Sequence, residues 1–294
     1  MANTKEIKDR INSIKETQKI TNAMYLISST KLKKARKSLD QNEPYFIRMQ
    51  NMVNRIQRHL PNISNPYFRS FSEIPEEEKT VAYLVITADK GLAGAYNHNV
   101  LKLTEGELKK HKNTKLFVVG ELGRQYFENR HIPVDEQFHY TAQNPSLHRS
   151  RMISYKMLEL FTKGEIHELY IVYTIMVNSM TTQPVMQKLL PFEPFKPNVE
   201  IPLDIEREVW HLQPSPDAVI NAIVPSCTNG YIYSALVESF CSEQNARMMA
   251  MQAANKSANS ILHDLGIQYN RVRQAMITQE ITEVCSGARA LRKS

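Results

Sequence analysis

Residues 7–39 read IKDRINSIKETQKITNAMYLISSTKLKKARKSL. Positions spaced alternately four and three residues apart in this stretch are mostly occupied by apolar or small residues. An uninterrupted repeat of this period over several heptads is typical of a coiled-coil helix. Apolar spacing resumes after Pro44 at Phe46, Met49 and Val53, so we predict a long N-terminal helix that Pro44 kinks or briefly breaks. The ten repeat positions are Ile7, Ile11, Ile14, Gln18, Thr21, Tyr25, Ser28, Leu32, Ala35 and Leu39.

The other end of the chain predicts a second long helix, from about Pro216 to Ala290, which Gly230 and Gly266 interrupt. Both predicted seams contain many small or polar residues, which suit a slender pairing within one chain better than a homodimer zipper. We therefore expect the two ends to form an antiparallel coiled coil. The predicted C-terminal seam consists of Ala246, Ala250, Ala253, Ser257, Ile261, Leu265 and Val272.

The middle of the chain alternates strand and helix patterns. A weaker strand is predicted around Phe138 and Tyr140, and helices are predicted over Asn97–His111, Glu121–Arg130 and Leu147–Lys163. This alternation predicts an α/β fold with a mostly parallel, Rossmann-like sheet. The expected domains are therefore an N-terminal coiled-coil helix at 1–60, a central α/β domain at 78–213 and a C-terminal coiled-coil helix at 214–294. The main strand candidates are Val81–Thr87, Lys115–Gly120, Leu169–Val177 and Val185–Leu189.

Charge is unevenly distributed along the 294 residues, whose net charge is +7. Residues 1–58 contain 13 Lys and Arg against five Asp and Glu, whereas the segment between the helical ends is about −4 by difference. Basic helices favour an acidic partner, either nucleic acid or an acidic protein surface. No run of eighteen apolar residues and no apolar leader segment is present, so we expect neither a membrane span nor a secretory signal.

The stretch after the first predicted strand, residues 87–97, reads TADKGLAGAYN. A Gly-containing turn between strand and helix can cradle phosphate. This one lacks the Gly-Lys-Ser/Thr ending of a P-loop and the third glycine of a dinucleotide fingerprint, which favours a structural turn. Histidines and cysteines show no metal-ligand spacing, and no nucleophile motif is present. We expect no cofactor, no metal and no catalytic site of its own.

Two polar stretches are candidate contact sites. The basic run, defined as Lys31, Lys33, Lys34, Arg36 and Lys37, indicates a solvated helix face or a contact with an acidic partner. Single-stranded nucleic acid is a weaker alternative because no aromatic residues interleave with these charges. Near the C-terminus, Arg273, Gln274 and Thr278 are predicted to face outward beside the seam.

Three blocks of sequence, in order and over nearly the full length, resemble the gamma subunit family of F-type ATP synthases. The opening block is Ile7–Ile11 with Lys19–Thr21 and Ala23–Met24, and Asp89 through Asn97 resembles the family's DRGLCGGYN-like turn, with Ala93 where cysteine is frequent. The closing block comprises Ser242–Glu243, Ala246–Met248, Ala250–Met251, Tyr269–Asn270, Arg273–Ala275, Ile277–Thr278 and Thr282–Glu283.

The resemblance implies a central rotor shaft that couples ion-driven rotation of the c-ring to conformational cycling of the beta catalytic sites. The paired helices would lie inside the alpha–beta hexamer, and the α/β domain would contact the epsilon subunit and the c-ring. It further implies that each complex contains one copy of the chain, located peripherally at the cytoplasmic face of the bacterial plasma membrane. It also implies that the chain binds no nucleotide and has no thiol switch. Two other classes stay open on the residues alone, a basic helical nucleic-acid-binding protein and an α/β enzyme with a helical appendage.

Residue by residue, the resemblance implies three contact sites. Met24 and the basic run would meet the acidic lever loops of beta. Arg273, Gln274 and Thr278 would meet the catch loops of alpha and beta. Trp210 and Gln213 would lie at the foot beside the c-ring, although Gln213 stands where the family often has an acidic residue.

Overall fold

The computed structural model describes residues 4–59, 65–68, 71, 74–75, 77–178, 181–192 and 212–293, with side chains through 56 and 288 in the two terminal helices. The strands are β1 (Thr80–Ile86), β2 (Asn113–Val119), β3 (Glu168–Met176) and β4 (Thr182–Leu190). The helices are α1 (Thr4–His59), α2 (Tyr96–Leu108), α3 (Glu121–Glu128), α4 (Leu147–Thr162) and α5 (Pro216–Lys293), with a 3₁₀ turn at Pro66–Phe68.

The four strands form one sheet in the order β2-β1-β3-β4. β1 pairs in parallel with β2 and with β3, because helices carry the chain between these strands. β4 returns antiparallel beside β3. It is last in the strand order and therefore an edge strand, where Pro184 is tolerated. The predicted mostly parallel α/β sheet is therefore confirmed.

Both faces of the sheet are covered. On β1, Ala82, Leu84 and Ile86 belong to one buried cluster, while Val81, Tyr83 and Val85 belong to another. A strand buried on both sides reads as a continuous apolar run, which explains the sequence TVAYLVI. The first cluster includes Ile56 of α1, Ile153, Met157 and Phe161 of α4, and Ile220, Val224 and Ile232 of α5. The second includes Val100 and Leu101 of α2 and Phe127 of α3.

The predicted weak strand at Phe138 and Tyr140 is wrong. Tyr140 makes only an isolated parallel bridge to Val119, with the Gly120 N–H donating to the Tyr140 carbonyl at 2.9 Å. Phe138 is 2% exposed because its ring packs edge-to-face on Phe117. The apolar residues that suggested a strand are thus explained by the burial of the Phe138 ring and not by strand pairing.

The chain divides into two compact units, one of Met1–Ser28 with Met248–Ser294 and one of Ser29–Arg247. In the first unit, Gln18 donates to the Asn259 side chain at 2.7 Å, and Thr21 hydrogen-bonds Asn255. One residue number rises as the other falls, so this pairing is antiparallel, as predicted.

The second unit pairs the same two helices in the same sense. Ser38 of α1 and Tyr233 of α5 share a hydrogen bond of 2.8 Å, and beyond the end of α1 Asn65 donates to the Asp217 side chain at 3.2 Å. Between these two contacts, the ring of Phe46 lies directly against Gly230. Pro44 lies inside α1, which continues to His59.

The N-terminal seam is as predicted, since all ten of its positions are buried or half-buried. The C-terminal seam is partly wrong, because Ala253, Ser257 and Ile261 are exposed. Apolar or small residues stand side by side there, as in Ile261–Leu262, so periodicity alone could not separate two adjacent helix faces. The face turned inward carries Met251, Asn255, Ala258, Leu262, Leu265, Tyr269 and Val272.

Candidate partner-contact surfaces

The basic run lies beside a closed apolar seam. Leu32, Ala35 and Leu39 of α1 pack on a buried cluster of α5 that includes Tyr233 and Val237. The helix therefore turns its cations away from the core. Lys33, Lys34, Arg36 and Lys37 are exposed, and Lys31 is half-buried.

Within the described part of the chain, none of these five cations forms a salt bridge. Lys31 and Lys34 also line a shallow pocket of about 240 Å³ together with Asn144, Pro145 and Phe240. The arrangement is an accessible cationic surface with an apolar floor. Such a surface can accept carboxylates from another chain.

Met24 also belongs to α1, and its side chain is half-buried. It lies in the compact unit of Met1–Ser28 and Met248–Ser294, whereas the basic run belongs to the other unit. A half-exposed thioether on a helix offers a flexible, polarisable contact surface.

The final part of α5, residues 273–288, is exposed at every position and is called the tip below. It carries Arg273 and Gln274, both exposed, while the exposed Thr278 donates its hydroxyl to the Gln274 carbonyl at 2.9 Å. Ala275 beside them is exposed too, because inward-facing positions of α5 end at Val272. The tip also exposes four apolar side chains, Met276, Ile277, Ile281 and Val284.

The third predicted site falls largely outside the described residues. Trp210 lies in the undescribed stretch 193–211. Gln213 is exposed and comes just before the start of α5. The Gln213 side chain is therefore accessible to a partner, but its surroundings do not indicate which partner it would bind.

The Gly-containing turn after β1 is held from within. The Asp89 carboxylate accepts hydrogen bonds from the backbone N–H groups of Glu121, Ala142 and Gln143 at 3.1–3.2 Å. Glu121 opens α3, so the Asp89 carboxylate caps the start of that helix. The Asn97 side chain of α2 accepts from the Ala88 N–H at 2.9 Å. This supports the interpretation as a structural turn.

A buried ion pair within α5 lies against the same turn, where Arg247 donates to the Lys90 and Gly91 carbonyls, and the sequence patterns did not identify it as a contact. Arg247 and Glu243 approach to 2.7 Å, although the two atoms are too poorly aligned to count as a hydrogen bond. Burial raises the pKa of Glu243, and the nearby Arg247 only partly offsets this effect. A charged pair spaced four apart, within the otherwise uncharged stretch 239–255, was the available signal.

Among the described residues, no group of three or more His, Cys, Asp or Glu side chains could hold a metal ion. None of the described helices combines the length and apolar character that crossing a membrane requires. Burial raises the pKa of Cys227 and of Cys241 to about 12, so both remain thiols at neutral pH.

Sequence comparison points to one family. A family described as ATP synthase matches residues 3–291. The ATP synthase gamma chain of Acetivibrio thermocellus is 44% identical, with 99% of this chain and 100% of the relative covered. A sodium-ion-specific ATP synthase gamma chain of Acetobacterium woodii is 36% identical, with 98% and 99% covered. The nucleic-acid-binding alternative gains no support from these comparisons.

Solved structures share the fold at low identity. The rotor of Euglena gracilis mitochondrial ATP synthase matches with a TM-score of 0.63 at 15% identity, covering 93% of this chain and 98% of its own. The central stalk and c-ring structure of the Tetrahymena thermophila enzyme matches with a TM-score of 0.58 at 20% identity, covering 80% and 99%. With the family match and the full-length relatives, these likenesses lead to one conclusion: the chain belongs to the ATP synthase gamma chain family.

Proposed function

We propose that this chain is the central rotor shaft of an F-type ATP synthase and transmits rotation of the c-ring to the catalytic sites of beta. The observation that carries the proposal is the antiparallel pair of α1 and α5, whose seam is closed inside one chain. Polar and apolar groups remain exposed along the tip and the basic run. A shaft that turns inside other subunits needs a closed seam and an outer surface made for transient contacts.

The basic run supplies the contact to beta. Its five cations would meet the acidic lever loops, with Met24 contributing a further contact on α1. Each exposed ion pair contributes only about 0–1 kcal/mol, so the contact must be shared among several cations. A shared contact also suits rotation, because no single strong pair has to break at each step.

The tip supplies the contact to the catch loops of alpha and beta. Arg273, Gln274 and Thr278 would form hydrogen bonds there, and the exposed apolar groups beside them would slide against an apolar sleeve. At the other end, Trp210 and Gln213 would meet the c-ring, and the α/β domain would contact epsilon.

Nucleotide chemistry belongs to the other subunits under this proposal. The chain would contribute no catalytic site of its own and no cofactor. It serves as one copy per complex, held at the cytoplasmic face of the membrane through its partners and not by a span of its own.

Reconstitution tests the proposal. A complete F-type complex, reconstituted in membranes with tagged beta and with this chain as its gamma subunit, is expected to retain the chain on purification and to pump ions at the expense of ATP. The matched control omits this chain and is expected to lose pumping. Failure of the chain to co-purify with beta, or equal pumping without it, would contradict the proposed function.

A further inference from the structure

The ion pair of Glu243 and Arg247 has no part in the contacts proposed so far. It lies within the compact unit of Ser29–Arg247, on the face of α5 that covers the turn after β1. Glu243 is 1% exposed and Arg247 is 8% exposed. Burying two charges is unfavourable unless their remaining hydrogen-bonding capacity is satisfied, so the partners of this pair indicate what it does.

Arg247 uses its guanidinium on the turn. One nitrogen, Nη2, lies 3.1 Å from the Lys90 carbonyl and 3.1 Å from the Gly91 carbonyl, and also contacts Glu243. A planar guanidinium offers several donors in fixed directions, which a lysine ammonium does not. Arg247 therefore connects two backbone carbonyls of the turn to one buried carboxylate of α5.

A second contact repeats the connection about two helical turns from Arg247 along α5. The hydroxyls of Tyr96 and Ser239 share a hydrogen bond of 2.7 Å in a buried position. Between the two polar contacts, Ala246 packs against Ala88 and Ala93. The turn thus meets α5 through two directional contacts and a small apolar patch.

The backbone of the turn after β1 is fixed from several sides, which opposes its deformation. Asp89 anchors one side of it to α3 and to residues 141–143. Leu92 and Gly94 have positive φ values of 63° and 56°, and the left-handed region is unfavourable for leucine. A strained backbone of this kind persists only where its surroundings fix it from several sides.

We propose that Arg247 and Glu243 form a latch that fixes the orientation of α5 on the α/β fold, so that rotation passes between the two without slip. This inference rests on the proposed rotor function and names positioning residues for it. Apolar burial is non-directional, whereas hydrogen bonds weaken steeply as their angle departs from linearity. The hydrogen bonds of Arg247 to the Lys90 and Gly91 carbonyls therefore add resistance to turning beyond that of the surrounding packing.

The test separates positioning from folding. Arg247→Met alone leaves Glu243 buried without its partner, so the informative variant combines Arg247→Met with Glu243→Leu. Replacing a buried ion pair by apolar groups of similar volume frequently leaves stability unchanged or raises it. The measurements are the melting temperature of the free chain and, in reconstituted membranes, the number of ions pumped per ATP hydrolysed. Lys109→Met, which removes an exposed cation at the end of α2, is the control.

The double variant is expected to keep the wild-type melting temperature and to pump clearly fewer ions per ATP hydrolysed than wild type, because ATP hydrolysis would continue while the shaft slips. Arg247→Lys is expected to pump more ions per ATP than the double variant but fewer than wild type. Lysine keeps the positive charge but lacks the planar guanidinium and its fixed donor directions. A wild-type ratio in the well-folded double variant would overturn the latch, as would an equal loss in Lys109→Met. A wild-type chain that supports no pumping would overturn the rotor function along with the latch.

Discussion

Two stretches of α5 have similar helical sequence and opposite surroundings. From Ile220 to Arg247 the helix packs on α1 and on the sheet, and even charged side chains are buried there. Over the tip, residues 273–288, every side chain is exposed, including that of Ile281 at 59%. In the packed stretch, a polar or small residue serves the fold of this chain. On the tip, a residue of the same type remains available for a partner.

The two glycines in this helix make the same point. A methyl group on Gly230 would lie 2.1 Å from a ring carbon of Phe46, whereas one on Gly266 would meet nothing within 4 Å. One glycine is required for close approach of two helices, and the other is replaceable. Four experiments can break or sharpen this comparison, and they follow from the largest expected effect to the smallest.

Arg273→Ala, and separately Gln274→Ala, test whether the tip serves partners. Losing a hydrogen bond to a charged group costs about 1.5–3 kcal/mol, so ATP turnover of the assembled complex is expected to fall about tenfold or more for Arg273→Ala. Exposed substitutions usually change stability within about 0.5 kcal/mol, so the melting temperature of the free chain should not move. Wild-type turnover in both variants, or a large drop in melting temperature, would contradict a contact role.

Gly230→Ala tests the packed stretch. Because the new methyl group would overlap the Phe46 ring, we expect destabilisation of about 1–3 kcal/mol, as for other overpacked cores. Urea unfolding of the free chain measures this loss. Combining Gly230→Ala with Phe46→Leu should recover part of it, because neighbouring substitutions are not additive.

Gly266→Ala is the matched control for that experiment. It adds a methyl group in open space and replaces a poor helix former, so stability should rise by up to about 1 kcal/mol. Equal destabilisation by both glycine substitutions would show that helix propensity, and not the contact with Phe46, governs Gly230.

Glu168→Gln tests whether a second buried charge in the unit of Ser29–Arg247 stabilises the fold. Burial opposes its ionisation, but hydrogen bonds from Lys79, Lys188 and Tyr170 outweigh burial and lower its pKa. A lowered carboxyl pKa stabilises the fold above the unfolded value of about 4.3, and this stabilisation is lost as pH falls through the folded pKa. Melting temperatures of wild type and Glu168→Gln should therefore differ at neutral pH and converge in acid.

The matched control is Glu159→Gln, which breaks an exposed pair with Lys163. Its melting temperature should stay close to that of wild type at neutral pH. A gap between wild type and Glu168→Gln that stays constant down to the acid limit would contradict the assigned pKa direction.

Single neutralisations within the basic run are expected to have the smallest effects. Each exposed ion pair contributes about 0–1 kcal/mol, so Lys33→Ala or Lys37→Ala alone should leave ATP-driven pumping close to wild type. Replacing all five cations together should weaken pumping clearly. Loss of pumping after one substitution, with no effect of the other four, would show that the contact is not shared.

Several features were predictable because they depend on local chemistry. The 3.5-residue repeat identified the N-terminal seam at all ten positions, and the apolar runs located all four strands within a few residues. The exposure of Arg273 and Gln274 also followed from helix geometry, although their contact with catch loops stays a prediction. Ala253 and Phe138 were misassigned because neighbouring apolar residues fit more than one element or face.

The sequence by itself determined two long helices, an α/β middle and a family, because periodicity and motif order are properties of the chain alone. Only the tertiary structure decided that Gly230 packs against a phenyl ring, that Asp89 caps the start of α3 and that Arg247 hydrogen-bonds the turn after β1. The physical reason is distance along the chain. Each of these contacts joins segments far apart in sequence, and no local pattern encodes which partner a buried glycine or charge will meet.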